Sequence, residues 1–488
     1  MGMHTDVLIV GGGIAALAAA VALSDRGVRV VLVERTPHLG GRARSWRDDT
    51  TGDVVDVGPH VLLNKYRNML GLLRRLGTDG DIVWQTDKFL TVVERGRRAT
   101  IRNYPLPAPL HALPSLLHAE SVSVRDMLSN RRVLWAALRL DEPALLQLDA
   151  LDAETYLQQM GVSPRFIEWH WALTAMAILN LPLAQCSAGA LMRFYKFMIS
   201  HRDIDMGFAA VPLADLFVPG ARRVIESHGG EIWLHAPIAE FVMPRAGTIT
   251  GAVVADGRHI EAQYVIAAVA PQDLAPLLPH ALRDTPLARD LPAFAPNPYI
   301  CSYIWFDRKL TDEQAWARTW SPTNLNYDSY DLSNIRRGWR TRPSIIASNI
   351  IYSHRAHGMS DDAIIAATVR ELAEFVPAAA QTTIRHARVH RIDMAIPCAF
   401  PGTERKRPVT RTPIENFFLA GDWTCTHLPA SMESAVRSGL LAAEQVLDRL
   451  GRPAHLAEAM APPEGLARLV QGMSRSPLQR QPPQSARF

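Results

Sequence analysis

The sequence predicts an α/β protein in which an open parallel sheet, drawn from separate stretches of chain, is joined to a second, mixed α+β unit carrying a helical insert. Three observations lead there. The chain opens on a strand, glycine turn, helix and strand between Asp6 and Glu34. It closes on an apolar run, Phe417-Phe418-Leu419-Ala420, that ends in Gly421-Asp422 and precedes a helical stretch. Between these ends, strand-like runs are interrupted by about ninety residues of helical pattern rich in large apolar side chains.

In the opening unit, Asp6-Val-Leu-Ile-Val10 is a β-branched run that ends in Gly11-Gly12-Gly13. Ile14-Ala15-Ala16 begins a run of good helix formers that Gly27 stops, and Val28 to Val33 is the next apolar run. Gly11 permits a tight turn off the strand, Gly13 lets the backbone approach a pyrophosphate, and Ala16 is small enough for helix and sheet to pack closely. The first turn, Ile14 to Ala16, offers an anion its unpaired N–H groups and the positive end of the helix dipole. Glu34, with Arg35 beside it, stands about twenty residues on, where a carboxylate binds ribose hydroxyls. The pattern is that of a Rossmann-like dinucleotide-binding unit.

A chain of 488 residues with 48% hydrophobic content holds a substantial core. Its 52 basic and 48 acidic residues leave a net charge of +4, which argues for neither nucleic acid nor an acidic partner. Cys186, Cys301, Cys398 and Cys425 lie far apart, with neither metal-ligand spacing nor a disulfide framework, and predict reduced thiols of a cytoplasmic protein without a metal. Val7 to Leu23 carries no charge, but the glycine turn divides it, and neither a basic leader nor a cleavage site accompanies it. The apolar stretch Trp169 to Leu183 is too short to span a bilayer. Arg193, Lys196 and Arg202, near the end of the aromatic- and methionine-rich insert, suggest a peripheral contact with the inner face of a membrane.

Taken in order, residues 1–84 form the first part of the nucleotide domain, with a strand at Asp53–Val57 and a helix from Tyr66 to Leu76. Residues 85–212 begin the substrate domain with a strand pair turning at Arg95-Gly96, a proline-rich crossing and the helical insert. Residues 213–285 return to the nucleotide domain with a helix from Leu213, strands to Met243 and a hairpin at Asp256-Gly257. Residues 286–390 supply a sheet with one helix, Asp361–Phe375. Residues 391–452 complete the nucleotide domain, and 453–488, without apolar periodicity, predict a disordered tail.

Gly40-Gly41-Arg42-Ala43-Arg44 resembles the second signature of the flavoprotein superfamily that holds amine oxidases, phytoene desaturases and GDP-dissociation inhibitors. The resemblance implies FAD as cofactor, with Arg42 against its diphosphate, Gly41 allowing close approach, and backbone contacts to adenine at Ile238. The stretch from Ile414 to Gly439 resembles the closing motif of squalene- and phytoene-processing flavoenzymes. There Gly421-Asp422 would meet the ribityl chain or adjoining phosphate, and Met432 would open a helix facing the flavin pyrimidine. Ala175 to Pro182 with Ser187-Ala188 resembles hydroxysqualene dehydroxylases, while Arg407-Pro408 and Arg411 to Glu415 resemble plant-type phytoene desaturases. Gly58-Pro59-His60 follows the pattern of the wider superfamily, where the dehydroxylases usually have Asn-Gly-Gln before the histidine.

Flavin chemistry on a hydrocarbon needs an apolar slot and at most one group to move a proton. His60 and His427 are the histidines placed to reach such a slot, and Tyr299 and Tyr303 face either the flavin or the interior of a half-buried strand. The implied activity is that of an FAD-dependent oxidoreductase working by hydride transfer on a long isoprenoid lipid, by phytoene or carotene desaturation or by hydroxysqualene dehydroxylation, with an electron acceptor the sequence does not name. A flavin amine oxidase and a non-redox isoprenoid-binding chaperone of the GDP-dissociation-inhibitor type stand as alternatives.

Overall fold

The computed structural model describes residues 3–244 and 247–474. Strand Met3–Val10 lies inside a seven-stranded sheet, paired in parallel with Val30–Val33 on one side and His259–Ala267 on the other. Glu231–Trp233 extends the sheet beyond Val30–Val33, and Phe417–Leu419 pairs in parallel with Val265–Ala267. Gly251–Val254 and Ile238–Val242 complete it as antiparallel strands. Five parallel strands thus come from three distant stretches of sequence.

All eleven residues of helix Ile14–Ser24 are buried, so it has no polar face. It can be hydrophobic all round because the sheet covers one side and helices Met432–Arg449 and Val218–Ser227 cover the rest. The closing helix approaches closely through Gly439, where a Cβ would stand 2.1 Å from the carbonyl oxygen of Ala15. The helix expected from Leu213 begins instead at Val218, after a turn of 3₁₀ helix at Leu213–Leu216.

A second sheet of seven strands runs Ile384–Pro397, Pro296–Phe306, Ile345–Ile350, Asp328–Asp331, Ala315–Arg318, Leu90–Glu94, Arg97–Ile101. Ala315–Arg318 and Asp328–Asp331 are four residues each and lack an alternating pattern, so the sequence did not announce them. Between Leu113 and Ser200 the chain folds into short helices, several begun by side-chain caps such as Ser123, Asp141, Asp152 and Ser187. One turn, Ile167–Trp171, is a π-helix.

The expectation of a disordered tail from residue 453 is corrected over the part the structure describes. Ala457 is buried, Glu458 N–H donates to Asn68 Oδ1 (2.8 Å), Glu464 pairs with Lys65 (3.0 Å), and helix Gly465–Ser474 buries Ala467. The segment docks through single alanines and polar anchors spaced among prolines, which leaves no periodicity to read. Residues 475–488 of the expected tail lie outside the described residues. The four cysteines are free thiols, and among the described residues no helix is long and apolar enough to cross a membrane.

Because a side chain at 439 must push two buried helices apart, Gly439→Val is expected to lower the unfolding free energy by about 2 kcal/mol or more in urea denaturation. Unchanged stability would contradict this packing.

Candidate active site

The three glycines after Val10 have different reasons to be glycine. A Cβ at Gly11 (φ +108°) would lie 2.5 Å from Ala268 O, and one at Gly12 would lie 2.7 Å from Leu39 and 2.9 Å from Glu34 Oε2. At Gly13 nothing lies within 4 Å. Protein packing therefore forbids side chains at Gly11 and Gly12 but leaves open space at Gly13, beside Gly41, whose own Cβ would stand 3.1 Å from Gly13 Cα. The helix starting at Ile14 has no side-chain cap and no acidic residue in its first turn, though it is buried throughout. An open cradle next to uncapped N–H groups fits the pyrophosphate of a dinucleotide.

Glu34 is fixed beside this turn: Oε2 accepts from Gly12 N–H (2.7 Å) and Oε1 from Thr36 N–H (2.8 Å). Its carbonyl accepts from Ala236 N–H (2.9 Å), which brings the start of strand Ile238–Val242 close by. Arg35 points outward and pairs with Asp273 (2.7 Å).

The closing motif reaches the same place. Gly40 N–H donates to Gly12 O (2.9 Å), so Gly40-Gly41-Arg42 rests on the opening turn. Arg42 donates to Asp422 Oδ1 (2.6 Å) and to Ala395 O (3.0 Å). Gly421 has φ +137°, a conformation only glycine adopts readily, and its N–H donates to Ser438 Oγ (2.8 Å) on the closing helix. Arg407 donates to the carbonyls of Asp422 (2.6 Å), Thr424 (3.1 Å) and Leu428 (2.6 Å), which holds the loop into that helix. Met432 opens the helix under the cap of Ser431.

From Arg42, Gly58, Pro59, His60 and Met432, a cavity of about 700 Å³ extends between the second sheet and the helical insert. Its wall is mostly aliphatic and aromatic. Leu110, Leu113, Leu117, Val124 and Leu128 line it and are also exposed, by 37%, 41%, 51%, 56% and 59%, so they form its rim.

The two histidines part company. His60 lines the cavity, and because Gly58 O accepts a bond from its Nδ1 (2.8 Å), Nδ1 carries the proton. Burial lowers its pKa below the ordinary histidine value, so at neutral pH it is an uncharged imidazole with Nε2 left as acceptor. His427, by contrast, does not line the cavity. Its loop turns at φ +59°, and the half-exposed ring faces Glu142 (3.3 Å), which corrects the expectation that it reaches the slot. Tyr299 lines the cavity against Gly58, whereas Tyr303 is fully buried and donates to Asp56 O (2.9 Å) as a structural group.

Sequence reasoning missed the groups that hold this wall in place. The buried carboxylate of Glu433 accepts from the N–H groups of Arg67 (3.1 Å), Asn68 (3.0 Å) and Met69 (2.7 Å) and from Asn68 Nδ2 (2.7 Å). It thereby satisfies the first turn of helix Asn68–Leu76 from more than 360 residues away. Asp56, before Gly58, is buried against Arg336 and accepts from Leu213 N–H (2.9 Å) and Ser45 Oγ (2.7 Å). No local pattern marks such partners. Arg193 is also misplaced by sequence: it is buried, bidentate to Glu142 (2.5 and 2.7 Å), and faces no membrane. Lys196 donates to Leu140 O, and Arg202 lies beside Asp203 (3.1 Å).

Known proteins share this fold. The family model described as flavin containing amine oxidoreductase matches residues 14–447. The chain is 28% identical over 465 residues to the 15-cis-phytoene desaturase of Synechococcus elongatus, covering 91% of this chain and 96% of that protein. It is 28% identical over 466 residues to the carotenoid phi-ring synthase of Streptomyces griseus, covering 91% and 88%. Among solved structures, putrescine oxidase bound to putrescine superposes with a TM-score of 0.70 at 16% identity, over 93% of this chain and all of that one.

His170 in the cavity wall, stacked on Phe166 (5.0 Å between ring centres), is pushed by burial to about 4. An unfolded histidine takes up its proton near pH 6.5, so between those values the unfolded state holds more protons and stability falls as pH drops. His170→Phe is therefore expected to improve its unfolding free energy relative to wild type as pH is lowered from 7 to 4.5. A difference independent of pH would contradict the buried neutral imidazole.

Proposed function

We propose, from the fact that the chain belongs to the flavin containing amine oxidoreductase family, that this FAD-dependent oxidoreductase moves a hydride between its flavin and a long isoprenoid lipid. The observation that carries the substrate half is the mainly apolar cavity of about 700 Å³ that starts at the Gly58-Pro59-His60 loop and opens through a rim of exposed leucines and Val124. A flexible hydrocarbon gains about 0.8 kcal/mol for each CH₂ it buries there. Relatives named as phytoene desaturase and carotenoid phi-ring synthase support the same class.

The residues fit the cofactor as follows. Gly11, Gly13 and the first turn, Ile14-Ala15-Ala16, would receive the pyrophosphate, Glu34 the ribose hydroxyls, and Arg42 with Gly41 the diphosphate charge. Ile238 would meet the adenine, with Arg35 at the outer edge. Gly421-Asp422 would hold the ribityl chain, and the N-terminus of the Met432 helix would lie toward the ring, together with Gly58 and Pro59. Bound FAD supplies the hydride-exchanging centre. The chain itself contributes an apolar wall that excludes water and orients one carbon of the lipid beside Gly58. His60 Nε2, an uncharged acceptor in that wall, is placed to take a proton from a neighbouring carbon.

The rim supports entry from a bilayer surface. Val124 and Leu128 share helix Val124–Ser129 with the exposed Arg125, and the exposed Arg131 and Arg132 begin the next helix, so these arginines can meet anionic head groups while the apolar side chains enter the acyl boundary. These replace Arg193, Lys196 and Arg202 as the basic partners.

The test is anaerobic bleaching of the oxidised flavin by phytoene or simple amines, and anaerobic reoxidation of the reduced flavin by hydroxysqualene, with lipids supplied in liposomes with and without anionic lipid. An isoprenoid is expected to change the flavin spectrum, faster from anionic liposomes, and Leu117→Asp with Leu128→Asp is expected to slow transfer at least tenfold. Bleaching by amines alone, without liposome binding, would overturn the substrate and the membrane route together.

A further inference from the structure

The cavity wall is not uniformly apolar. Asp328 and Asn349 lie directly opposite each other on neighbouring strands of the second sheet, and both line the cavity. Asp328 Oδ2 accepts from Tyr330 O–H (2.7 Å), but Asp328 Oδ1 and Asn349 Oδ1 have no hydrogen-bond partner. Nearby hydroxyls do not fill the gap, since Tyr327 O–H donates to Leu173 O (2.8 Å) and that of Tyr330 is already used. Burial raises the Asp328 carboxyl to about 6 against the Tyr330 hydroxyl and the Asn349 side chain, which favour its charged form, so at neutral pH it is largely ionised. Among the described residues, no lysine, arginine or histidine forms an ion pair with it. The wall thus presents two hydrogen-bond acceptors and a charge where a hydrocarbon offers no donor.

We propose that Asp328 and Asn349 form a specificity point that recognises one hydrogen-bond-donating group, a hydroxyl or a protonated amine, on an otherwise apolar ligand. The proposal rests on the reading of the cavity as the isoprenoid site and narrows it from pure hydrocarbons to chains with a single polar donor. The placement suits that task. Asn349 is opposite Cys301, two residues from Tyr299, and the Tyr299 ring lies 3.3 Å from the position of a Cβ on Gly58. A donor held at Asp328 and Asn349 would fix which carbon of the chain reaches the His60 end, a register that a smooth apolar tunnel cannot set. A site whose buried acceptors need a donor discriminates strongly against analogues that lack one.

Three probes with the same C15 chain make the test: farnesol, farnesylamine and farnesene, titrated into the FAD-loaded protein and followed by the flavin absorbance change. At least one of the two polar probes is expected to bind ten-fold or more tighter than farnesene. Asp328→Leu and Asn349→Leu are each expected to erase that preference, by strengthening farnesene binding or weakening that of the polar probes, while leaving FAD content unchanged. Asp328→Asn separates the sources, because it keeps a hydroxyl's acceptor but removes the charge an ammonium needs, so only the amine preference should collapse. Equal wild-type affinity for all three probes would overturn the proposal, whether or not the variants fold, and so would a preference untouched by all three substitutions in folded protein. Failure of every C15 probe to bind would instead overturn the isoprenoid reading beneath it.

Discussion

The close contact of the first helix with the last is the constraint on which the rest of the structure depends. Gly439 lets Met432–Arg449 lie directly on Ile14–Ser24, and no larger residue fits between Ala15 O and the closing helix. That contact carries Gly421-Asp422 to Gly40-Gly41-Arg42 and allows Arg42 and Asp422, 380 residues apart in sequence, to pair. It also delivers Glu433 to the uncapped start of helix Asn68–Leu76, so the helix that roofs the proposed flavin seat also braces one side of the cavity. Burial of a helix with no polar face makes this arrangement hard to trade for another.

A division of labour follows along the cavity. At one end, Gly13, Arg42 and the free end of the first helix gather positive potential around space left open by glycine. Past Gly58 the wall is nearly apolar and its imidazoles are uncharged, His60 because burial opposes its protonation and His170 for the same reason. The acceptor pair Asp328 and Asn349 stands apart in this wall because an oxygen of each is buried without a hydrogen-bond partner. Arg193, which looked like a membrane contact in the sequence, serves instead to clamp Glu142 and Glu404 within the protein.

What the sequence made legible was whatever is local. The strand, glycine turn and helix at Val10 to Ser24 are written in consecutive residues, as is the stop at Gly77, and the hairpin strands about Asp256-Gly257 carry their own turn chemistry. Glu34 could be placed by counting from the glycines. The parts that escaped depend on contacts distant in sequence. Glu433 reads as an ordinary first-turn acid until Asn68 is seen beside it, and Asp328 sits in a four-residue strand with no periodicity. His427 departs from its expected place because nearness to Asp422 in sequence says nothing of a backbone that turns the ring outward. The described part of the tail, to residue 474, carries no readable pattern because its anchors are single residues.

The central claim is that the two ends of the chain build one seat for FAD, and Gly13 tests it most directly. A Cβ there meets no protein atom within 4 Å and the residue needs no unusual backbone angle, so Gly13→Val is expected to fold as wild type does. The measurement is the FAD released on denaturation from each purified protein, normalised to chain concentration. About one FAD per chain from wild type, with nearly none from a Gly13→Val variant of unchanged circular dichroism, is the result expected of a cradle whose open space belongs to the pyrophosphate. Equal occupancy in the two proteins would place the flavin elsewhere and contradict the account.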